Sequence, residues 1–296
     1  MKKEKRLLRI CMILIGLTIV SCVGFSYLTR LKEPVFMTYC VAVCAVPSAS
    51  TGYDQPILEL QYLTNRDDTK EVMSISFQEA PEYLFTATEN PHFGNSFTFF
   101  SNNETQQRGE ALGRYSLRTV YLYMDNYFIG DWQGEVELNN ALISFNDGST
   151  YKVNLGRVLI YSDVSEVPAM DITHSSSSNQ GNSNTSYFVR QKLSNLKLEM
   201  PNIEEFDSVM ELTINSLPYD ELDDLELKRG DTLLIENHFK ESNNEGSYDV
   251  YDVRPKLTYT REDGTRGFTR IYDIKYRHYF YSYMDALQYL MRMGGF

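Results

Sequence analysis

The chain has 296 residues, a mean hydropathy of −0.37 and a formal net charge of −12. This acidic balance excludes a dominant nucleic-acid-binding surface, which needs clustered Lys and Arg. The 22 Tyr and 16 Phe residues favour strands, because aromatic side chains pack well on a pleated sheet. Composition therefore predicts a mainly β protein that has no nucleic-acid partner.

An uncharged apolar run occupies residues 10–29. As a helix rising about 1.5 Å per residue, it is long enough to cross the ~30 Å of bilayer hydrocarbon. Residues 1–9 carry five Lys or Arg and one Glu, and positive charge stays preferentially in the cytoplasm. We therefore expect an uncleaved, single-pass transmembrane signal anchor in the cell membrane, with a cytoplasmic N-terminus and an extracytoplasmic body.

Two other fates of this segment stay open. Ile19-Val20-Ser21-Cys22 resembles the lipobox of bacterial lipoproteins, and the resemblance implies a lipid on Cys22. The residues after Cys22 remain apolar, where lipoproteins turn to a polar tether, and this favours a membrane helix. The small residues Val43-Cys44-Ala45 offer a weaker site for signal peptidase.

Residues 35–46 are rich in β-branched and aromatic side chains and predict the first buried strand, with a re-entrant or interfacial segment as the alternative. On one strand, Cys40 and Cys44 lie ~13 Å apart, which is too far for a disulfide. Both are expected to be buried small apolar residues. Two prolines make residues 79–97 irregular. Alternating apolar and polar residues predict further strands at 57–64, 71–77, 96–101, 118–124, 193–200, 208–217 and 231–239.

Two stretches, 141–161 and 256–276, have the pattern of a β-hairpin. Each contains Asp-Gly between apolar runs, and Asp-Gly supplies the positive φ angles of tight turns. They indicate either a duplicated β unit or two ordinary hairpins. At the C-terminus, Leu287 and Leu290 recur at helical spacing before Gly294, which predicts one short amphipathic helix.

The segment 173–187 is dominated by Ser, Asn and Thr, and such composition is typical of a linker or a long loop. As a linker it separates the body into two predicted β-sandwich-like units, and as a loop it lies within a single one. The predicted organisation is a tail, an anchor, a first β-rich domain, the linker and a second β-rich domain with the C-terminal helix, at residues 1–9, 10–29, 30–172, 173–187 and 188–296.

Motifs that carry chemistry are weak in this chain. The four histidines are widely spaced in the sequence, and none forms a metal-binding or nucleophile-activating motif. The acidic run at residues 220–226 lacks the spacing of a calcium loop and is better interpreted as solvated. We therefore predict no catalytic residue, no metal site and no cofactor.

A Tyr- and Arg-rich segment near the C-terminus is the best candidate for a binding surface. These two residue types dominate recognition surfaces, because each combines contact area with a polar end. The alternative is an ordinary strand with one buried tyrosine row. Possible partners are an anionic cell-wall polymer, a lipid surface or the acidic patch of a membrane protein. The predicted binding residues are Tyr272, Tyr276, Arg277, Tyr279 and Tyr281.

These patterns predict a non-catalytic binding or assembly module at the bacterial cell surface. One alternative is a hydrolase of surface polymer that uses two carboxylates, since glycoside cleavage needs only such a pair. The other alternative is a structural accessory subunit of a membrane transport or secretion complex.

Overall fold

The structure is a computed structural model that describes residues 2–44, 56–89, 109–124, 134–162, 169–178, 181–200, 206–222, 224–240, 248–272 and 274–296. Within these ranges the chain is mainly β, with helix α1 at Lys2–Leu28 and helix α2 at Tyr283–Arg292. The segment Ile10–Leu28 of α1 is long and apolar enough to cross a membrane. The predicted fold class is therefore confirmed.

The described strands, numbered β1 to β19 in chain order, form four sheets. The first sheet contains, in spatial order, β1 (Val35–Phe36), β3 (Leu58–Asn65), β7 (Tyr115–Met124) and β5 (Phe85–Thr88), with β6 (Glu110–Leu112) also on β7. The second contains β19 (Ile274–Arg277), β16 (Val250–Val253), β2 (Tyr39–Cys44), β9 (Thr150–Ser162), β8 (Gly134–Phe145) and β4 (Val72–Phe77). The third contains β10 (Met170–Ser177), β11 (Ser183–Val189), β15 (Thr232–Phe239), β13 (Met210–Ile214) and β14 (Leu217–Pro218). The fourth contains β12 (Leu193–Glu199), β17 (Lys256–Arg261) and β18 (Arg266–Arg270).

Two hydrophobic clusters hold these sheets together. The first cluster packs the first sheet, one face of the second sheet and α2, and it includes Leu60, Ile143 and Leu287. The second packs the other face of the second sheet against the third and fourth sheets, and it includes Tyr251 and Leu257. Sheets that face each other across apolar layers fit a β-sandwich-like fold. The clusters match the two predicted domains only in part, because the second sheet combines strands from both.

The prediction of one strand at residues 35–46 is wrong. β1 pairs with β3 in the first sheet, whereas β2 lies between β9 and β16 in the second sheet and is parallel to both. The chain changes sheets at Met37 and Thr38, where the Met37 amide donates to the Gln61 carbonyl and the Thr38 amide donates to the Asp249 carboxylate. Cys40 is buried, as predicted, whereas Cys44 is only half-buried, and no disulfide joins the two.

The described residues of the polar segment 173–187 lie mostly in two strands rather than in a linker or an irregular loop. β10 and β11 pair as an antiparallel hairpin with Ser177 opposite Ser183, and β11 pairs in turn with β15. Composition misled the prediction because a strand needs backbone partners rather than apolar side chains when one face of its sheet is solvated. The predicted irregular stretch 79–97 similarly contains β5, which pairs with β7. Its residues from 90 onward, and the strand predicted at 96–101, lie outside the described ranges.

Both Asp-Gly hairpins are present where the sequence predicts them. Gly148 joins β8 to β9 with φ +83°, and Gly264 joins β17 to β18 with φ +81°. In each turn the aspartate accepts the backbone amide two residues later, Ser149 or Thr265, at 2.9 Å. The predicted helix is α2, which begins after the cap Ser282 and buries Leu287 and Leu290.

Candidate functional site

A cleft of about 410 Å³ opens between the second and fourth sheets. Three neighbouring strands of the second sheet, β2, β9 and β16, supply an apolar floor that includes Ala42, Leu159 and Val253. Leu198 and Phe206 lie on the opposite wall. We call this the intersheet cleft. Its volume is within the ~300–1,000 Å³ range of ligand pockets.

Basic side chains outnumber acidic ones around the apolar floor, and one of the bases, Arg157, is paired with Glu137 at 2.8 Å. The described residues that line the intersheet cleft include five bases and only two acids, although the whole chain has a net charge of −12. Low-dielectric walls lined by one sign of charge focus the electrostatic field and raise the local concentration of an oppositely charged ligand. The lining bases are Arg157, Lys197, Arg254, Lys256 and Arg270, and the lining acids are Glu135 and Glu199.

Tyr161 on β9 positions two of these arginines. The Arg270 guanidinium lies 3.8 Å from the centre of the Tyr161 ring, and Arg254 donates to the Tyr161 hydroxyl at 3.4 Å. Burial raises the pKa of Tyr161 to about 12, so its hydroxyl stays neutral. A cation over an aromatic face is attracted by the ring quadrupole. The buried tyrosine therefore helps to hold both arginines at the cleft, together with Asp252, which lies 3.6 Å from Arg254.

Glu135 on β8 forms ion pairs with two of the lining bases. Its carboxylate contacts Lys256 at 2.6 Å and Arg270 at 2.7 Å. Burial raises the pKa of Glu135, but hydrogen bonds from Lys256 and Arg270 outweigh burial and lower it overall. Glu135 therefore stays ionised at neutral pH and orients the two bases.

We expect Glu135→Gln to destabilise the protein by about 1–2 kcal/mol, because Arg270, whose side chain is 6% exposed, loses its ionised partner. A lowered carboxyl pKa stabilises the fold above the ordinary carboxyl pKa, and this contribution is lost as pH falls through the lowered value. The variant should therefore lose less stability on acidification. Urea unfolding at pH 7 and pH 4 measures both effects. Glu226→Gln, whose pair with Lys192 is solvent-exposed, is the control and should change little.

The five predicted binding residues do not form one surface. Tyr272 lies beside the intersheet cleft, where Arg254 stands 5.2 Å from the centre of its ring. Tyr276 stacks on Phe239 at 5.4 Å in an aromatic cluster. Arg277 lies 3.8 Å from Glu59. Tyr276 and Arg277 are neighbours on β19, so the alternation of the strand directs them to opposite faces.

The remaining two predicted residues, Tyr279 and Tyr281, precede α2 as an exposed pair. Their rings are 6.3 Å apart, and Tyr281 is 81% exposed. Cys22 is an exposed free thiol on α1. Binding through the tyrosines and lipidation of Cys22 both stay predictions.

A second, smaller cavity lies near Asp249, His278 and Arg292. Its volume is about 40 Å³, roughly a tenth of a small-molecule site. Burial lowers the pKa of His278, and the nearby Asp249 carboxylate only partly offsets this effect. The neutral imidazole lies over Tyr289 with ring centres 6.0 Å apart. This group is a packed structural network and has no room for a substrate.

Sequence reasoning did not predict the intersheet cleft, although residues 253–296 carry eight bases and only four acids. The basic surplus after residue 253 includes Arg254, Lys256 and Arg270. Arg157 and Lys197 occur in ordinary strand patterns, and only the pairing of distant strands brings them to the same opening. No local signal marks Glu135 as their partner.

No known protein-family model matches this chain. No curated protein matches it either.

Proposed function

We propose that this chain is a membrane-tethered, non-catalytic binding module at the cell surface, and that its intersheet cleft binds an anionic ligand. The observation that carries the proposal is that bases outnumber acids in the cleft, although acids outnumber bases in the chain as a whole. Five bases and two acids line the cleft of a protein with a net charge of −12. An acidic protein repels anions in general, so a basic cleft selects where an anion binds.

The apolar floor of the cleft also bears on the kind of anion that we propose as the ligand. Its floor is apolar at Ala42, Leu159 and Val253, and its bases lie around that floor. A ligand with a nonpolar portion gains from burial on this floor, while its anionic group reaches the arginines. The ligand in this proposal is therefore an amphipathic anion rather than a bare inorganic one.

In this proposal the intersheet cleft lies away from the bilayer. The β8–β9 turn, at Asp147, contacts Lys70 at 3.0 Å, close to the residues that follow α1. Glu135 and Tyr161 are paired at the opposite end of the same two strands. At ~3.3 Å per residue, this separation is on the order of 30 Å. With α1 in the membrane and a basic N-terminus inside, the cleft faces the extracytoplasmic space.

The carboxylates of the cleft favour binding over hydrolysis. A glycoside hydrolase needs a general acid whose pKa is raised, so that it holds a proton at neutral pH. The pKa of Glu135 is lowered by its two basic partners, and Glu199, the other described acid in the cleft, is exposed. The environment of Glu135 therefore does not retain a proton at neutral pH.

We expect Lys197→Glu to weaken anion binding about tenfold, or ~1.4 kcal/mol, because it places a negative charge at the cleft. Lys197 is exposed, so the fold tolerates the change. The full chain in mild detergent is titrated with a fluorescein-labelled peptide of alternating Asp and Leu, and anisotropy is measured at low and high salt. Lys152→Glu, on the exposed part of β9 outside the cleft, has the same change in net charge and serves as the control.

Three further peptides test the chemistry: alternating Lys and Leu, alternating Ser and Leu, and alternating Asp and Ser. Preferential, salt-sensitive binding of the Asp-Leu peptide supports the proposal. Equal effects of Lys197→Glu and Lys152→Glu show that net charge alone controls binding, and this result contradicts a site at the cleft.

A further inference from the structure

The residues that follow α1 are hydrogen-bonded to the body. Thr29 follows α1 directly, and its hydroxyl accepts a hydrogen bond from Arg114 at 2.7 Å, while its carbonyl accepts one from the Tyr115 hydroxyl at 2.7 Å. Two residues later, the Leu31 amide donates to the Asn65 side chain, which donates back to the Leu31 carbonyl. Both Thr29 and Leu31 are buried. These hydrogen bonds therefore attach the body to the chain within three residues of the end of α1. We call this set of hydrogen bonds the clamp.

If α1 spans a membrane, the clamp determines the distance between the body and the bilayer. The apolar segment Ile10–Leu28 has 19 residues, and at ~1.5 Å per residue it spans ~28 Å, close to the hydrocarbon thickness. Leu28 then lies at the edge of the hydrocarbon and Thr29 in the layer of lipid head groups. Arg114 and Tyr115, which are hydrogen-bonded to Thr29, lie in or beside that layer.

The C-terminal helix lies at the same end of the body. Near its start, Tyr283 stacks on Tyr115 with ring centres 5.6 Å apart. Beyond its end, a Cβ on Gly295 would lie 3.2 Å from Leu31. Both ends of α2 therefore contact residues that adjoin the anchor, so the helix runs across the base of the body.

The exposed side chains at this base suit a lipid interface. Met284 and Met291 lie seven residues apart on the exposed side of α2, and Tyr281 and Met293 flank the helix with large exposed surfaces. Arg66 is exposed and donates to the carbonyl of Gly113, next to Arg114. Tyrosine is favoured at membrane interfaces, and arginine binds lipid phosphate.

We propose that this basal patch, formed by Arg66, Arg114, Tyr281, Met284, Met291 and Met293, lies on the surface of the membrane that α1 spans. The inference rests on the proposed membrane anchor, but it adds a second lipid contact. An amphipathic helix gains affinity from its buried apolar area and from attraction to anionic lipids. The second contact would fix the orientation of the body and keep the intersheet cleft turned away from the bilayer.

Quenching by brominated lipids tests the patch in the full chain. Trp is introduced singly by Met284→Trp, Met291→Trp, Leu17→Trp within α1 and Phe188→Trp on β11. All four positions are solvent-exposed in the structure, so the substitutions leave the core intact. Each variant is reconstituted in nanodiscs of phosphatidylglycerol and phosphatidylcholine, with or without bromine on the acyl chains. The parent chain, with its single Trp132, gives the background emission.

We expect brominated lipid to remove about two thirds of the introduced emission at position 17, roughly a third at 284 and 291, and under about a tenth at 188. Quenching at 17 but not at 284 and 291 overturns the basal contact and leaves the anchor standing. No quenching at 17 overturns the anchor and the basal contact together. Equal quenching at 188 and 284 shows that the body has no fixed orientation and also overturns the inference.

Discussion

Asp249→Ala should destabilise the protein by about 3–5 kcal/mol, because it removes the acceptor at the centre of a buried polar network. Asp249 is 4% exposed. One carboxylate oxygen accepts from the Thr38 amide at 2.8 Å, the Thr38 hydroxyl at 3.0 Å and the Tyr289 hydroxyl at 2.8 Å. The other lies 3.4 Å from Arg292. Alanine leaves the Thr38 and Tyr289 donors without this acceptor.

The network joins three distant parts of the chain. Thr38 lies where the chain changes sheets, Asp249 precedes β16, and Tyr289 is on α2. Burial raises the pKa of Tyr289, and the adjacent Asp249 carboxylate raises it further, so the phenol remains a donor at any physiological pH. Loss of Asp249 therefore loosens α2 as well as β2.

Urea unfolding of the full chain in mild detergent, followed by circular dichroism, measures this effect. Tyr289→Phe removes one hydrogen bond and should cost about 1 kcal/mol. Asp171→Ala, which removes an exposed ion pair with Arg190, is the matched control and should cost under ~1 kcal/mol. Similar losses for Asp249→Ala and Asp171→Ala would contradict a central role for the buried carboxylate.

Arg118→Met should have an effect of similar size, about 3–5 kcal/mol, because it leaves a half-buried carboxylate without its cation. Arg118 is 2% exposed, donates to the carbonyls of Asp68 and Lys70, and lies 3.8 Å from Glu89. Glu89 also accepts from the Tyr62 hydroxyl at 2.6 Å. Methionine fills most of the arginine's volume, so the loss reports the polar contacts rather than a cavity.

A double variant separates charge from packing. Glu89→Gln keeps an acceptor oxygen for Tyr62 and removes the negative charge. Arg118→Met combined with Glu89→Gln should therefore be at least ~1 kcal/mol more stable than additive losses predict. Strict additivity in urea unfolding would show that the ion pair contributes nothing. Arg190→Met, on the exposed pair with Asp171, is the control for loss of an arginine.

The sequence predicted those parts of the structure that local patterns encode. Apolar length defines α1, and Asp-Gly at positions 147–148 and 263–264 specifies two hairpins, because the positive φ of Gly148 and Gly264 is a requirement of the turn itself. Helical spacing of Leu287 and Leu290 locates α2. Each signal lies within a few residues of the feature that it predicts.

Features that depend on distant partners were not predictable in the same way. Residues 173–187 have no strong strand pattern, yet they form strands because β15 offers backbone partners. The segment 35–46 divides between two sheets because β2 is inserted between β9 and β16. A composition rule describes one segment and carries no information about its neighbours in space.

By itself, the sequence determined a mainly β chain with an apolar helix at the N-terminus and a short amphipathic helix at the C-terminus. Only the tertiary structure decided that Arg157, Lys197 and Arg270 line one cleft. It also decided that Asp249 accepts a hydrogen bond from Thr38, which is 211 residues away in the chain. The physical reason is that side-chain periodicity is a local property, whereas charge clusters and buried polar networks depend on which strands pair.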